Sequence, residues 1–233
     1  MWSKVSARFC SLIPLDCPEK YGMKTMSAGS TGTIFVIAAP SGGGKTSLIH
    51  ALVERVPDML ISVSHTTRPP RPQERSGQHY HFVSEAEFQS LQQSQAFIES
   101  AKVFGHYYGT SKAALASSLS AGRDVLLDID WQGAQQVRHL FPGQNVTVFI
   151  LPPSKTALQA RLCQRNQDSE DVVKRRMIAA TDEMAHYHEF DYLLVNDDFD
   201  QALNTLAAIV VAERHRQCRQ AKRLDKLLTE LLA

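Results

Sequence analysis

Apolar and polar positions along this chain follow two periods. A charge-free run at 34–38, Ile-Phe-Val-Ile-Ala, is bounded by turn residues and predicts a buried parallel strand. After a glycine-rich break, residues 47–56 place Leu48, Ile49, Leu52 and Val53 on one helical face. A short strand follows at 59–64. The same rhythm returns later, with hydrophobic strands at 124–130 and 146–151, helical spacing at 155–164 and a last short strand at 192–195. From Asp200 a long helical pattern carries Leu203, Leu206, Ile209 and Val210. The region 64–110 breaks this alternation: 78–83 and 97–104 read as strands, and 105–109 as a turn. Ser84 and Glu87 form a capping box for a helix with Phe88 and Leu91 on its apolar face, and Ser111 caps another helix through Leu119. The pattern predicts an α/β protein whose parallel sheet is flanked by helices and interrupted by an inserted subdomain.

The break between the first strand and helix carries the sharpest chemistry. Ala39-Pro-Ser-Gly-Gly-Gly-Lys-Thr46 stands where a phosphate-binding loop would, between a buried strand and a helix start. Gly42, Gly43 and Gly44 let consecutive N–H groups turn toward an anion, and the helix adds its positive N-terminal end. Lys45 supplies a mobile charge for the β and γ phosphates, and the Thr46 hydroxyl suits Mg²⁺. Ala39 replaces the first glycine of the general pattern. The loop is therefore expected to bind a nucleoside triphosphate through Ala39, Pro40, Ser41, the three glycines, Lys45, Thr46 and Ser47.

Composition narrows the partners. The chain has 233 residues and a formal net charge of +1, so no global field points to nucleic acid or a membrane surface. No run approaches the length of a membrane span. Cys10, Cys17, Cys163 and Cys218 lack metal-type spacing and fit reduced thiols in a cytoplasmic protein. Charges and prolines interrupt residues 1–22 too often for a secretory signal, so 1–30 is expected to be a flexible extension, with Met23 and Met26 as alternative starts.

Further polar clusters acquire meaning beside the loop. Arg68 and Arg71 lie on a stretch stiffened by Pro69, Pro70 and Pro72, and could clamp one phosphate from two sides; alone, such a stretch reads as a solvated basic loop. Asp128 and Asp130 end a strand, two residues apart, at the edge where ligands of open α/β sheets bind; Asp128 suits a Mg²⁺-side role. Arg161, Arg165, Lys174, Arg175 and Arg176 flank a polar bend at 166–169, as a lid closing over phosphates would, although two solvated helix faces give the same pattern. His79-x-His81 and His186-x-His188 lack partners at ligand spacing. Leu224, Leu227, Leu228 and Leu231 extend an apolar stripe through a basic tail, which suits a packing or dimer-forming helix better than nucleic-acid binding.

Taken in order, several motifs from about residue 33 onward resemble guanylate kinase. They are Ala39–Thr46; Ser62-Val-Ser-His-Thr-Thr-Arg-Pro-Pro-Arg-Pro72; Gly77-Gln-His-Tyr-His-Phe-Val83; Phe97-Ile-Glu99; Tyr107-Tyr-Gly-Thr110; Leu127-Asp-Ile-Asp-Trp-Gln-Gly133; and Val195-Asn-Asp-Asp198. The resemblance implies a P-loop NTPase-like fold with core at 31–63 and 111–233, a GMP-binding α+β insert at about 64–110 and a helical lid at about 155–176. It implies phosphoryl transfer from ATP to GMP, and to dGMP because no motif demands a 2′-hydroxyl, with Mg²⁺, in purine nucleotide metabolism. By the same resemblance Arg68, Arg71, Tyr80 and Tyr108 hold the GMP phosphate, while Ser64, Glu99, Thr110 and Asp130 read guanine. Chemistry agrees: guanine N1–H and N2–H₂ are adjacent donors that one carboxylate can accept together, and adenine offers an acceptor there instead. Arg161, Arg165 and Arg176 map to the lid arginines, which with Lys45 would stabilise the transferred charge. His79 stands where an acid is common in the family. Two rivals remain: a non-catalytic phosphopeptide-binding scaffold domain, against which the intact Gly44-Lys45-Thr46 speaks, and a related kinase with another acceptor.

Overall fold

The structure, a computed structural model, describes residues 32–165 and 170–233. The expected extension at 1–30 lies outside the described residues. Strand β1 (Ile34–Ala38) runs into the glycine loop and α1 (Lys45–Arg55), followed by β2 (Met59–Ile61), β3 (His65–Thr66) and β4 (His81–Phe82). Then come α2 (Glu85–Gln93), β5 (Phe97–Val103), β6 (His106–Ser111) and α3 (Lys112–Ser120). The chain returns through β7 (Asp124–Asp128), α4 (Trp131–Leu140) and β8 (Asn145–Leu151) to α5 (Lys155–Arg165) and α6 (Glu170–Ala185). A 3₁₀ turn (His186–Glu189), β9 (Tyr192–Val195) and helices α7 (Phe199–Arg214), α8 (Gln217–Arg223) and α9 (Asp225–Leu232) complete it.

Two sheets result. One is five-stranded and parallel, ordered β2-β7-β1-β8-β9, with β1 in the middle. All five residues of β1 are buried, which is why they read as an unbroken apolar run. Leu48, Ile49 and Leu52 of α1 and Leu206 and Val210 of α7 cover one face, against Phe35 and Ile37. Leu115, Leu119, Ala134 and Val137 of α3 and α4 cover the other, against Ile34, Val36 and Leu127. The second sheet, β4-β3-β6-β5, is mixed and built between β2 and α3.

The capping box of Ser84 with Glu87 and the Ser111 cap form as the sequence predicts. Several boundaries differ. Helix α1 opens at Lys45, straight from the glycines, and the strands expected at 59–64 and 78–83 shorten to β2 and β4. The stretch 106–111 is strand, paired with 97–103, because Phe104 and Gly105 both adopt positive φ and close a two-residue hairpin. Strand β7 stops at Asp128, so the two-residue periodicity argued for Asp128 and Asp130 does not hold; Asp130 leaves the strand to cap α4 by accepting from the Gly133 amide at 2.9 Å. The C-terminal stripe splits into three helices. At its first break, Arg219 and Gln220 donate to the Glu213 and Arg214 carbonyls that end α7, at 2.9 and 3.0 Å.

Candidate active site

A cavity of about 360 Å³ opens between the two sheets, beyond the carboxyl ends of β1 and β7. One wall carries Lys45, Thr46, Asp128 and Asp130; the opposite wall carries Arg68, Arg71, Tyr80, Tyr108 and, at its base, Ser64 and Glu99. The resemblance had divided these same residues between donor, acceptor phosphate and base.

At the donor end, Gly44 has φ +86°, and a Cβ there would run into the Asn196 side-chain amide. That amide donates to the Gly43 carbonyl at 2.9 Å, so buried Asn196 at the end of β9 braces the loop from beneath. Lys45 Nζ reaches Asp128 at 2.6 Å and the Ile129 carbonyl at 2.9 Å, both next to β1 through the pairing of Ile37 with Asp128. The Ser41 amide donates to Glu183 Oε2 at 2.9 Å, from α6. Thr46 and Ser47 are exposed in the first turn of α1, and Ala39 and Pro40 lead into the loop.

At the base end Glu99 is buried, 3% exposed, and accepts from the Thr110 hydroxyl at 2.6 Å. Ser64 stands 3.3 Å from that hydroxyl. The Thr110 proton is thus committed to Glu99, which leaves Ser64 the freer donor. Burial pushes the Glu99 acid up to about 7, reinforced by Asp130 and opposed by Thr110 and Lys45. Gly133 makes room for it: a Cβ there would stand 2.7 Å from Glu99 Oε2.

Between the two ends lie the arginines and tyrosines expected to clamp a phosphate. Arg68 Nη2 donates to both oxygens of Glu74, at 2.8 and 2.9 Å, and the guanidinium lies 5.5 Å from the centre of the Tyr80 ring. The Arg71 amide also donates to Glu74, at 2.8 Å, so one carboxylate organises both arginine positions. Burial alone would raise the Glu74 acid, but Arg68 and Arg71 hold it below the usual range. Tyr80 and Tyr108 meet edge to face with centroids 6.0 Å apart. Burial, then Asp128, push the Tyr80 phenol up to about 12, so it stays a neutral donor.

Two of the arginines expected to form a lid, Arg161 and Arg176, stand apart from this cavity. Arg161 donates to the Asn196 carbonyl at 2.8 Å, and its other terminal nitrogen is buried without a partner among the described residues. Arg176 is half-buried in α6; among the described residues, neither Arg161 nor Arg176 lines the cavity. Arg165 ends α5, and its side chain lies outside the described residues. Sequence reasoning gave no role to Glu74, Gly133, Glu183 or Asn196. The motifs quoted above contain Gly133 and Asn196, and Glu74 falls three residues after Arg71. Glu183 carried no signal, because its partner is 142 residues away.

The guanylate kinase family model matches residues 31–213, taking in every element that lines the cavity. The chain belongs to the guanylate kinase family. A guanylate kinase of Methylococcus capsulatus (strain Bath) is 57% identical over 201 residues, covering 86% of this chain and 98% of its own. One from Escherichia coli K12 is 54% identical over 204 residues, 87% and 98% of the two chains. The crystal structure of a guanylate kinase from Anaplasma phagocytophilum superposes with a TM-score of 0.69 at 33% identity, covering 82% of this chain and 90% of that one. The parallel sheet of this chain, flanked by helices around the glycine loop, is the P-loop NTPase-like fold expected from the sequence.

Proposed function

We propose that this guanylate kinase moves the γ-phosphoryl group of ATP to GMP through the residues facing across the cavity. It is an enzyme of the nucleoside monophosphate kinase class. The observation that carries the residue assignment is the single cavity with a phosphate loop at one wall and buried Glu99 at the base of the other.

In this reading Glu99 accepts guanine N1–H and N2–H₂ while Ser64 donates to O6, with Asp130 and Thr110 completing the pocket. Arg68, Arg71, Tyr80 and Tyr108 hold the acceptor phosphate, aligned by Glu74. Loop amides and Lys45 hold the donor phosphates. Arg161, Arg165 and Arg176 reach the transferred charge when α5 and α6 close, which also keeps water from the phosphoryl group. Thr46 and Asp128 offer hard oxygen donors that suit Mg²⁺, which would neutralise charge on the donor phosphates. Phosphoryl transfer asks mainly for positioning and charge stabilisation, so no general base is assigned. Residues 64–110 form the acceptor-binding unit and 155–176 the lid, and dGMP is a substrate because no residue of the cavity is assigned to a 2′-hydroxyl.

ADP release from Mg-ATP with GMP, dGMP, AMP, CMP and UMP tests the assignment. Turnover with GMP and dGMP alone is expected. Turnover with AMP would overturn the role of Glu99, and binding of GMP without turnover would favour the scaffold alternative.

Helix α9 has no buried residue and exposes Leu227, Leu228, Leu231 and Leu232, which supports a homodimer through the C-terminal helix; a monomer in sedimentation equilibrium would refute it. Among the described residues no helix is long and apolar enough to cross a membrane, and a cytoplasmic location is proposed alongside.

A further inference from the structure

The phosphate loop already holds an anion of its own. Glu183, in the last turn of α6, accepts the Ser41 amide at 2.9 Å and is half-buried. Lys45 of α1 and Asp130 at the start of α4 are the charged groups that act on it, one attracting and one repelling. Its carboxylate therefore lies over the loop, in the field that the donor phosphates would enter. Two anions cannot both draw fully on one amide and one lysine.

We infer that Glu183 is a positioning residue that trades places with the phosphates of ATP, so that filling the loop frees α6 from it. The inference rests on the loop being the ATP site. A second contact gives α6 a reporter. Just past its end, His186 stacks on Trp131 with ring centroids 3.5 Å apart, and Trp131 opens α4 beside Asp130. The chain has 2 tryptophans, Trp2 and Trp131, so a Trp2→Phe background isolates the signal.

Glu183→Gln keeps the shape and removes the charge. Calorimetric titration with Mg-ATP should show about three- to tenfold tighter binding to this variant than to wild type, with GMP affinity unchanged. Glu183→Ala should tighten Mg-ATP binding as well, which guards against a residual contact from the glutamine. Burial, with Asp130, holds the Glu183 acid above its usual range, against the Ser41 amide and Lys45. Wild-type affinity should therefore fall relative to Glu183→Gln as pH rises through the titration of this group. In the Trp2→Phe background, Mg-ATP should shift Trp131 emission, and Glu183→Gln should begin closer to the shifted value.

Unchanged or weaker Mg-ATP binding in both variants would overturn the exchange. An emission indifferent to both Mg-ATP and the substitution would overturn the coupling to α6. Lys45→Ala separates the premises. If it loses Mg-ATP while the Glu183 variants bind as wild type, only the inference fails. If it binds as wild type, the assignment of the loop fails and the inference with it.

Discussion

Burial lifts the Glu99 acid to about 7 from an ordinary 4.5, against the pull of the Thr110 hydroxyl. In the proposed pocket guanine's paired donors favour the ionised form, so GMP affinity should weaken as pH falls below about 7, by up to about tenfold per pH unit. Titrations of GMP at several pH values would show this, and a flat profile would separate Glu99 from the base. Glu99→Gln should remove the pH dependence and cut the preference for GMP over AMP by about ten- to a hundredfold, because a donor then faces guanine's donors. Gly133→Ala attacks the same carboxylate indirectly. With its Cβ 2.7 Å from Glu99 Oε2, it should raise the KM for GMP by about tenfold and leave that for ATP alone. Legibility at this scale was uneven. Glu99 was visible through its motif, but its commitment to Thr110 and the space left by Gly133 depend on β6 and α4 meeting it in three dimensions.

Elements show a similar division. Strong local signals, such as the buried β1 run, the glycine loop and the Ser84 and Ser111 caps, were readable because each is settled within a few residues. Backbone and side-chain geometry that the apolar pattern does not encode decides the rest. The hairpin at Phe104 and Gly105 turned an expected loop into β6, and the break after α7 depends on side chains reaching back to its final carbonyls. Arg219 also stands 3.3 Å from Oε2 of Glu213, a carboxylate 3% exposed. Arg219→Ala should cost about 1–3 kcal/mol in urea unfolding, since it leaves a buried acid short of a partner. GMP selectivity should be unaffected, because the break lies beyond the elements lining the cavity.

For the whole molecule, the proton on Glu99 links folding to pH. Its folded acid is raised, so the folded chain keeps a proton that the unfolded chain releases between about pH 4.5 and 7. The stability this supplies is fully present below about pH 4.5 and is lost as pH rises through about 7. Thermal melts of wild type and Glu99→Gln across that window should differ in slope, with wild type losing more stability toward neutral pH. A glycine loop after a buried strand and an interruption beyond β2 were legible, since strands follow from buried runs and the insert from broken rhythm, whereas the position of β1 at the centre of the sheet was not. Contacts across the cavity were not, because no local pattern encodes that Glu74 faces Arg68 or that Glu183 faces Ser41.

Helices α5 and α6 hold together through a small cluster: Leu158, Leu162 and Ala180 fully buried, with Met177 and Met184 packed against them. Leu158 and Leu162 also sit where a side chain on Gly42 would go, so this cluster rests on the phosphate loop itself. Among the described residues this cluster has few buried side chains, and two of those packed on it are flexible methionines, so it supplies little cooperative free energy of its own. Its amides should exchange with deuterium through local opening, well before those of β1 do. Nucleotide on the loop would slow that exchange, and the helices proposed to close over the substrates would then owe much of their order to the nucleotide beneath them.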